Sequence, residues 1–143
     1  MPGAAVNVGS GTTVTFGTSG YSANVENIDW SGMEREAFPT THMTTTQPGA
    51  NQIGGKTFIP SKYADPGEIT LEVQYNPQTN PPLNGPAETI TITFPLVSGD
   101  STAANWACSG FLRSFRLTDP HDGKMMATAI IKMSGLITFT DAT

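Results

Sequence analysis

The chain is short of charge, of cysteine, of helix formers and of long apolar runs, and each shortage excludes something. Only 13% of its 143 residues are charged, about half the share usual in globular domains. The charges it has are 12 acidic and 7 basic, for a net charge of −5, the wrong sign for a protein that grips phosphates. The one cysteine, Cys108, excludes an internal disulfide and argues against a disulfide-stapled secreted module. No stretch approaches the roughly 20 apolar residues needed to span a bilayer. The opening residues, MPGAAVNVGS, lack the basic cluster and apolar core of a signal peptide. The expectation is one soluble domain over 1–143, without a membrane anchor and made in the cytosol. A chain of this length buries roughly 70% of its unfolded surface and needs neither metal nor disulfide to fold.

What is present is threonine, at 21 positions. Threonine is β-branched and polar, so it suits the wet face of a strand. Gly, Pro, Thr, Ser and Asn interrupt nearly every window that could hold three helical turns, whereas strand patterns recur. Residues 68–75 read EITLEVQY, with Ile69, Leu71, Val73 and Tyr75 on one face and Glu68, Thr70, Glu72 and Gln74 on the other. Residues 88–94 read ETITITF, with Ile90, Ile92 and Phe94 against Thr89, Thr91 and Thr93. Successive strand side chains point to opposite faces, so each segment is a strand with one dry face and one polar face. Between them, NPQTNPPLNGPA holds four prolines and fits neither a helix nor a ladder. Further strands are expected at 12–16, 24–30, 106–117, 124–133 and 136–140, with Gly135 marking a bulge or bend between the last two. The turn sequence DPHDG at 119–123 predicts a hairpin pairing 111–117 with 125–133.

One segment has no period. Residues 39–67 read PTTHMTTTQPGANQIGGKTFIPSKYADPG, polar and rich in Gly and Pro. A structureless loop of that length is rare in a compact domain unless it functions or is disordered. Phe58, Ile59 and Tyr63 give it a place to dock, either as a local cluster or against a neighbouring subunit. Its composition does not support a packed core on its own, so it is expected to be flexible in a free subunit.

Catalytic chemistry is thin. His42 and His121 lie in separate loops, TTHMTTT and DPHDG, and neither context has metal-ligand spacing. Cys108, in NWACSGF, reads as a small buried hydrophobe rather than an activated thiol. The pairs Gly9/Gly11 and Gly17/Gly20 lack the strand–loop–helix setting and lysine of a phosphate loop. No G-x-S-x-G elbow is present. Glu68 and Glu72 share a strand face, which is ordinary solvation. The expectation is no catalytic residue, no cofactor and no metal.

Three longer segments carry a resemblance: GSGTTVTFGTSGYSANVENIDWSGMEREAFPTTHM (9–43), KTFIPSKYADPGEITLEVQYNP (56–77) and ETITITFPL (88–96). Their order resembles the major tail tube protein of long-tailed, siphovirus-type bacteriophages and of related prophage and gene-transfer-agent tails. The ordered features are an amino-terminal hairpin, Thr-Thr-His-Met, a loop closing on Lys-Thr-Phe-Ile-Pro, and Asp-Pro-Gly-Glu opening an alternating strand. The carboxy-terminal Ser-Gly-Phe…Ser-Phe and Lys-Met-x-Ala-Thr stretches also fit, so the likeness covers most of the chain. It implies a mainly β fold, an antiparallel β-sandwich or partial barrel with a long polar loop at about 40–66. The family usually adds one flanking helix, and this sequence has room for at most a short one. The resemblance implies a structural virion protein without enzymatic activity, whose hexameric rings stack into the hollow tube that conducts DNA into the host. Its partners would be itself, tail-tip and tail-terminator proteins and a length-determining protein, with DNA passing unbound. Its place would be the virion tail, after synthesis in the bacterial cytoplasm.

By the same resemblance, the loop at 40–66 is the ring-stacking loop, with His42, Met43, Phe58, Ile59 and Tyr63 as candidates. A wall that repels or ignores phosphates lets DNA slide, which makes Glu68, Thr70, Glu72, Gln74, Thr89, Thr91 and Thr93 the lumen-facing candidates; an ordinary solvent face is the alternative. Two other functions stand beside this one: a carbohydrate-binding β-sandwich using Trp30, Trp106, Tyr21 or Tyr63, and the hexameric tube protein of a contractile secretion system.

Overall fold

The computed structural model describes residues 9–22, 24–41, 49–97 and 99–143. All regular structure among them is strand, in the order β1 (Thr13–Phe16), β2 (Asn24–Ser31), β3 (Glu34–Pro39), β4 (Phe58–Asp65), β5 (Glu68–Gln74), β6 (Glu88–Thr93), β7 (Asn105–Thr118) and β8 (Met126–Thr140). No described residue is helical. Six strands form one antiparallel sheet in the order β1-β6-β7-β8-β5-β2, while β3 and β4 pair only with each other.

The alternating segments land as their period requires. Ile69, Leu71 and Val73 of β5, Ile90 and Ile92 of β6, and Ala127, Ala129, Ile131 and Met133 of β8 are all buried on one face. Three bulges keep that face continuous. Glu26 is the extra residue of β2, so Val25 and Ile28, three apart, both face the core. Arg113 is the extra residue of β7, which brings both Leu112 and Phe115 inward. The third is at Gly135, whose φ of 89° is readily adopted only without a Cβ. There Ser134 pairs with Ser109 and Ile137 with Cys108, so the last two expected strands are one strand with a bulge. The hairpin around 119–123 pairs the expected segments, in the register Phe111↔Lys132 to Leu117↔Ala127.

The sheet is curled. Trp30 of β2 and Trp106 of β7 lie three strands apart in the sheet order, at least about 14 Å on a flat sheet. Their ring centroids are 5.4 Å apart. The core occupies the concave side of this half-barrel. Of the sandwich or partial barrel implied by the resemblance, the molecule is the partial barrel.

Two expectations change. Among the described residues there is no amino-terminal hairpin: β1 and β2 are consecutive in the chain but hold opposite edges of the sheet. The loop at 40–66 is shorter than expected, because its last third is strand β4, paired with β3 in the register Glu34↔Asp65 to Pro39↔Phe58. Both strands are exposed on both faces. Period-two alternation arises from one-sided burial, so these strands leave no such trace. Pro60 also reads as a strand breaker, yet in a two-stranded ribbon each strand is an edge, where proline is tolerated.

Candidate functional site

The β3–β4 ribbon continues the β2–β5 ladder beyond the sheet. Ser31 pairs with Glu68 at the end of one and Glu34 with Asp65 at the start of the other. Between them the ribbon passes through Gly32 (φ 81°) and Gly67 (φ 85°). A Cβ on Gly67 would collide with the Ser31 carbonyl oxygen. The base is fastened by side chains: Trp30 Nε1 donates to the Pro66 carbonyl at 2.7 Å, and Lys132 Nζ meets Asp65 Oδ1 at 3.2 Å. The same Asp65 oxygen accepts the Gly67 N–H at 2.8 Å. That backbone hydrogen bond, helped by Lys132, holds the Asp65 carboxyl below its ordinary range. The pairing runs past the strands through Thr40 and Thr57, whose hydroxyls are 2.6 Å apart.

Chemistry changes along this arm. Its base carries Glu34, Arg35, Lys62 and Asp65; its distal part carries Ala37, Phe38, Pro39, Phe58, Ile59 and Pro60. Phe38 pairs with Ile59, and Pro39 with Phe58. Adjacent strand positions face opposite sides, so both faces of the distal arm are apolar. Phe38, Phe58, Ile59 and Tyr63 are all exposed. Of the stacking-loop candidates, Phe58, Ile59 and Tyr63 therefore sit together on β4, while His42 and Met43 lie outside the described residues.

On the body of the molecule, a cleft of about 950 Å³ opens at the mouth of the half-barrel. One wall is β2, with Val25, Ile28 and Trp30; the other is Ile92, Phe94 and Trp106 of β6, its continuation and β7. Trp106 packs edge-on against Trp30, Phe94 and Phe139, with centroids 5.4, 5.6 and 4.9 Å away. Glu26 and Asp100 are the charged residues of its lining. Glu26 is paired with Lys124 at 2.6 Å. The sequence pointed to several of these residues as strand or aromatic but not to their convergence, since curl is not written in any one strand.

The lumen-facing candidates share the outer face of the sheet, opposite the core, in two patches. Thr89, Thr91 and Thr93 lie beside Thr13 and Thr15 of β1 and Asn105 and Ser109 of β7, a neutral field of hydroxyls and amides. Glu68, Thr70, Glu72 and Gln74 lie three strands from β6, on β5. This second patch is not acidic as a whole: Arg113 Nε meets Glu68 Oε1 at 3.2 Å, and Glu72 shares a row with Thr128 and Arg116. As the neighbour of the core-facing Leu112, Arg113 faces outward.

Other singled-out residues have quieter places. His121 is an exposed turn residue. Cys108 is buried, and burial pushes its thiol up. Tyr21 is buried edge-on against Phe16 at 5.3 Å, its hydroxyl also pushed up by burial. Of the four aromatics considered for sugar stacking, Tyr63 alone is exposed. Among the described residues, no three or more His, Cys, Asp or Glu gather as metal ligands, and no helix is long and apolar enough to cross a membrane. One residue the sequence did not mark is Glu88. It is buried, and its Oε1 accepts Thr18 N–H at 3.3 Å, Ser19 N–H at 3.1 Å and Ser19 Oγ–H at 2.9 Å.

This half-barrel with one projecting ribbon has a counterpart among solved structures. The chain is similar to the sheath/tube terminator of PVC, an extracellular contractile injection system, in its extended state. The match covers 96% of this chain and 99% of that chain, with a TM-score of 0.68 and 12% sequence identity. No family model matches the sequence, and no curated protein matches it. The likeness is therefore one of fold.

Proposed function

We propose that the chain is a structural subunit, without catalytic activity, of a phage-type tail tube: a ring, hexameric by the family resemblance, that stacks into a hollow conduit for DNA. The observation that carries this is the single curled sheet whose two edges, β1 and β2, have no further strand partner among the described residues. An open strand edge is a hazard to a monomer, and a curled sheet joined edge to edge with copies of itself closes into a wider barrel that has no edges. The projecting arm supplies contact between rings. The net charge of −5 and the hydroxyl-rich outer face suit a wall that DNA passes without binding. Tail-tip, terminator and length-determining proteins would be its partners, and the virion tail its place.

A second reading is favoured by the length of the structural match. The neighbour is a terminator of a sheath and tube, so this chain would be the ring that ends a tube, in a phage or in a contractile injection system. Negative-stain electron microscopy over a concentration series separates the two. Stacked rings or hollow tubes support a tube subunit; single rings that never stack support a terminator. Monodisperse small particles at every concentration, with and without tail-tip proteins, would overturn both. The lumen assignment has its own test: Glu68→Lys with Glu72→Lys should slow DNA passage while assembly persists, and phage of normal infectivity would remove these residues from the lumen.

A further inference from the structure

We propose that the cleft at the mouth of the half-barrel is the receptor for the distal arm of a second copy of this chain. The proposal rests on the assembly reading above and names the two surfaces that meet.

The first observation is shape. The distal arm is apolar on both faces, Phe38 and Ile59 on one, Phe58 and Pro39 on the other. A ribbon lying on one surface would cover only one of them. The cleft has two apolar walls, Val25–Ile28–Trp30 and Ile92–Phe94–Trp106, so a two-faced wedge entering it covers both. Its volume of about 950 Å³ is at the upper end of what holds a drug-sized ligand, enough for a few large side chains.

The second observation is charge. Residues 37–64 contain two of the seven basic residues, Lys56 and Lys62, and none of the twelve acidic ones. The rest of the chain keeps five basic and twelve acidic residues, so this stretch is +2 and the remainder −7, the acids of the ribbon (Glu34, Glu36 and Asp65) lying at its base beside Arg35. Both lysines are exposed, and among the described residues neither joins an ion pair. The cleft lining carries Glu26 and Asp100 and no base. Asp100 is the acid there without an ion-pair partner among the described residues. A cationic apolar prong and an anionic apolar cleft on the same chain are complementary head to tail. Such a contact propagates from copy to copy, closing into a ring or running on as a filament.

The test mixes two single-site variants, Ile59→Cys and Ala104→Cys, under mild oxidation; the native thiol is buried and both mixtures carry it equally. Ile59→Cys with Ala104→Cys should give at least tenfold more disulfide-linked dimer than Ile59→Cys with Thr91→Cys, which sits on the outer face. Adding Lys56→Glu and Lys62→Glu to the arm variant should bring the yield down to that control. Adding Asp100→Lys to the cleft variant should then restore it, and neither charge change touches the core. Equal yields with the cleft and outer-face partners, or no recovery on charge exchange, would overturn the docking. Microscopy of the unmodified protein reads the assembly proposal separately: tubes without the crosslink sink the docking alone, and the crosslink without rings or tubes sinks the tube reading alone.

Discussion

The six-stranded sheet and the β3–β4 arm are built from similar residues and differ in what water does to them. In the sheet, one face of the central strands is dry, and Ile69, Val73, Ile90 and Ile131 are completely buried. In the arm, Phe58 and Ile59 remain more than half exposed, and the strands touch only each other through their ladder. A two-stranded ribbon alone is marginally stable in water. The sheet holds its shape by its own burial, and the arm holds its by hydrogen bonds and by the fastening at its base. Apolar side chains that contribute nothing to the stability of their own subunit are available to another.

Large-to-small substitution tests this contrast most severely. Ile131→Ala should lower unfolding free energy by about 2–5 kcal/mol, the range for a buried Ile or Leu emptied to a cavity. Ile59→Ala should change it by less than about 0.5 kcal/mol, as for other surface sites. Urea denaturation of the dilute subunit reads both, and a comparable loss at Ile59 would mean that the arm packs on its own sheet. Next in size is the junction between the two regions. Gly67→Ala puts a side chain into the left-handed region, at about 1–2 kcal/mol, and also against the Ser31 carbonyl. A total loss of at least about 2 kcal/mol is expected, or else an arm that swings away from its course, seen as faster amide exchange from Arg35 to Phe38 with the sheet unchanged.

The same contrast explains what the sequence disclosed. EITLEVQY and ETITITF are legible because one-sided burial imposes a period of two, and both strands fall within a residue of their expected limits. Gly135 and the DPHDG turn are legible because backbone conformation restricts residue choice. EREAFP and FIPSKYAD, with no buried face, have no period to read, so neither β3 nor β4 is legible as a strand in the sequence. The strand order was equally hidden: nothing local in TVTF or NVENIDW says that they border opposite edges of one sheet. Of the candidate sites, Phe58, Ile59 and Tyr63 were found as apolar residues in a polar stretch. The cleft and the Arg113–Glu68 pair were not, because curl and strand order decide them.

A smaller effect is expected where a loop, rather than an element, is tied down. Glu88 gathers the Thr18 and Ser19 amides and the Ser19 hydroxyl on one carboxylate oxygen, fixing the turn that leads from β1 toward β2. Glu88→Gln keeps an acceptor but loses the charge that strengthens these bonds. A loss of about 1 kcal/mol is expected, with faster exchange at Thr18 and Ser19 and none at Ile131. An effect reaching the arm would mean that the two edges of the sheet are coupled.

The smallest effect concerns the fastening of the arm and depends on pH. Asp65 is solvent-exposed, and its carboxyl is held below the ordinary value of 3.8, first by the Gly67 N–H and then by Lys132. A carboxyl whose folded value is depressed binds protons more weakly when folded than when unfolded. Its contribution is therefore complete above the ordinary value and disappears as pH falls through the depressed one. Asp65→Asn should lower the thermal midpoint slightly at pH 7, and the gap from the parent chain should close as pH is taken from 4 toward 2. Because the bond ties the arm and not the core, amides of β3 and β4 should respond more than those of β8. A gap that widens in acid, or a response as strong in β8 as in the arm, would show that Asp65 belongs energetically to the sheet and would move the boundary between the two regions outward along the ribbon.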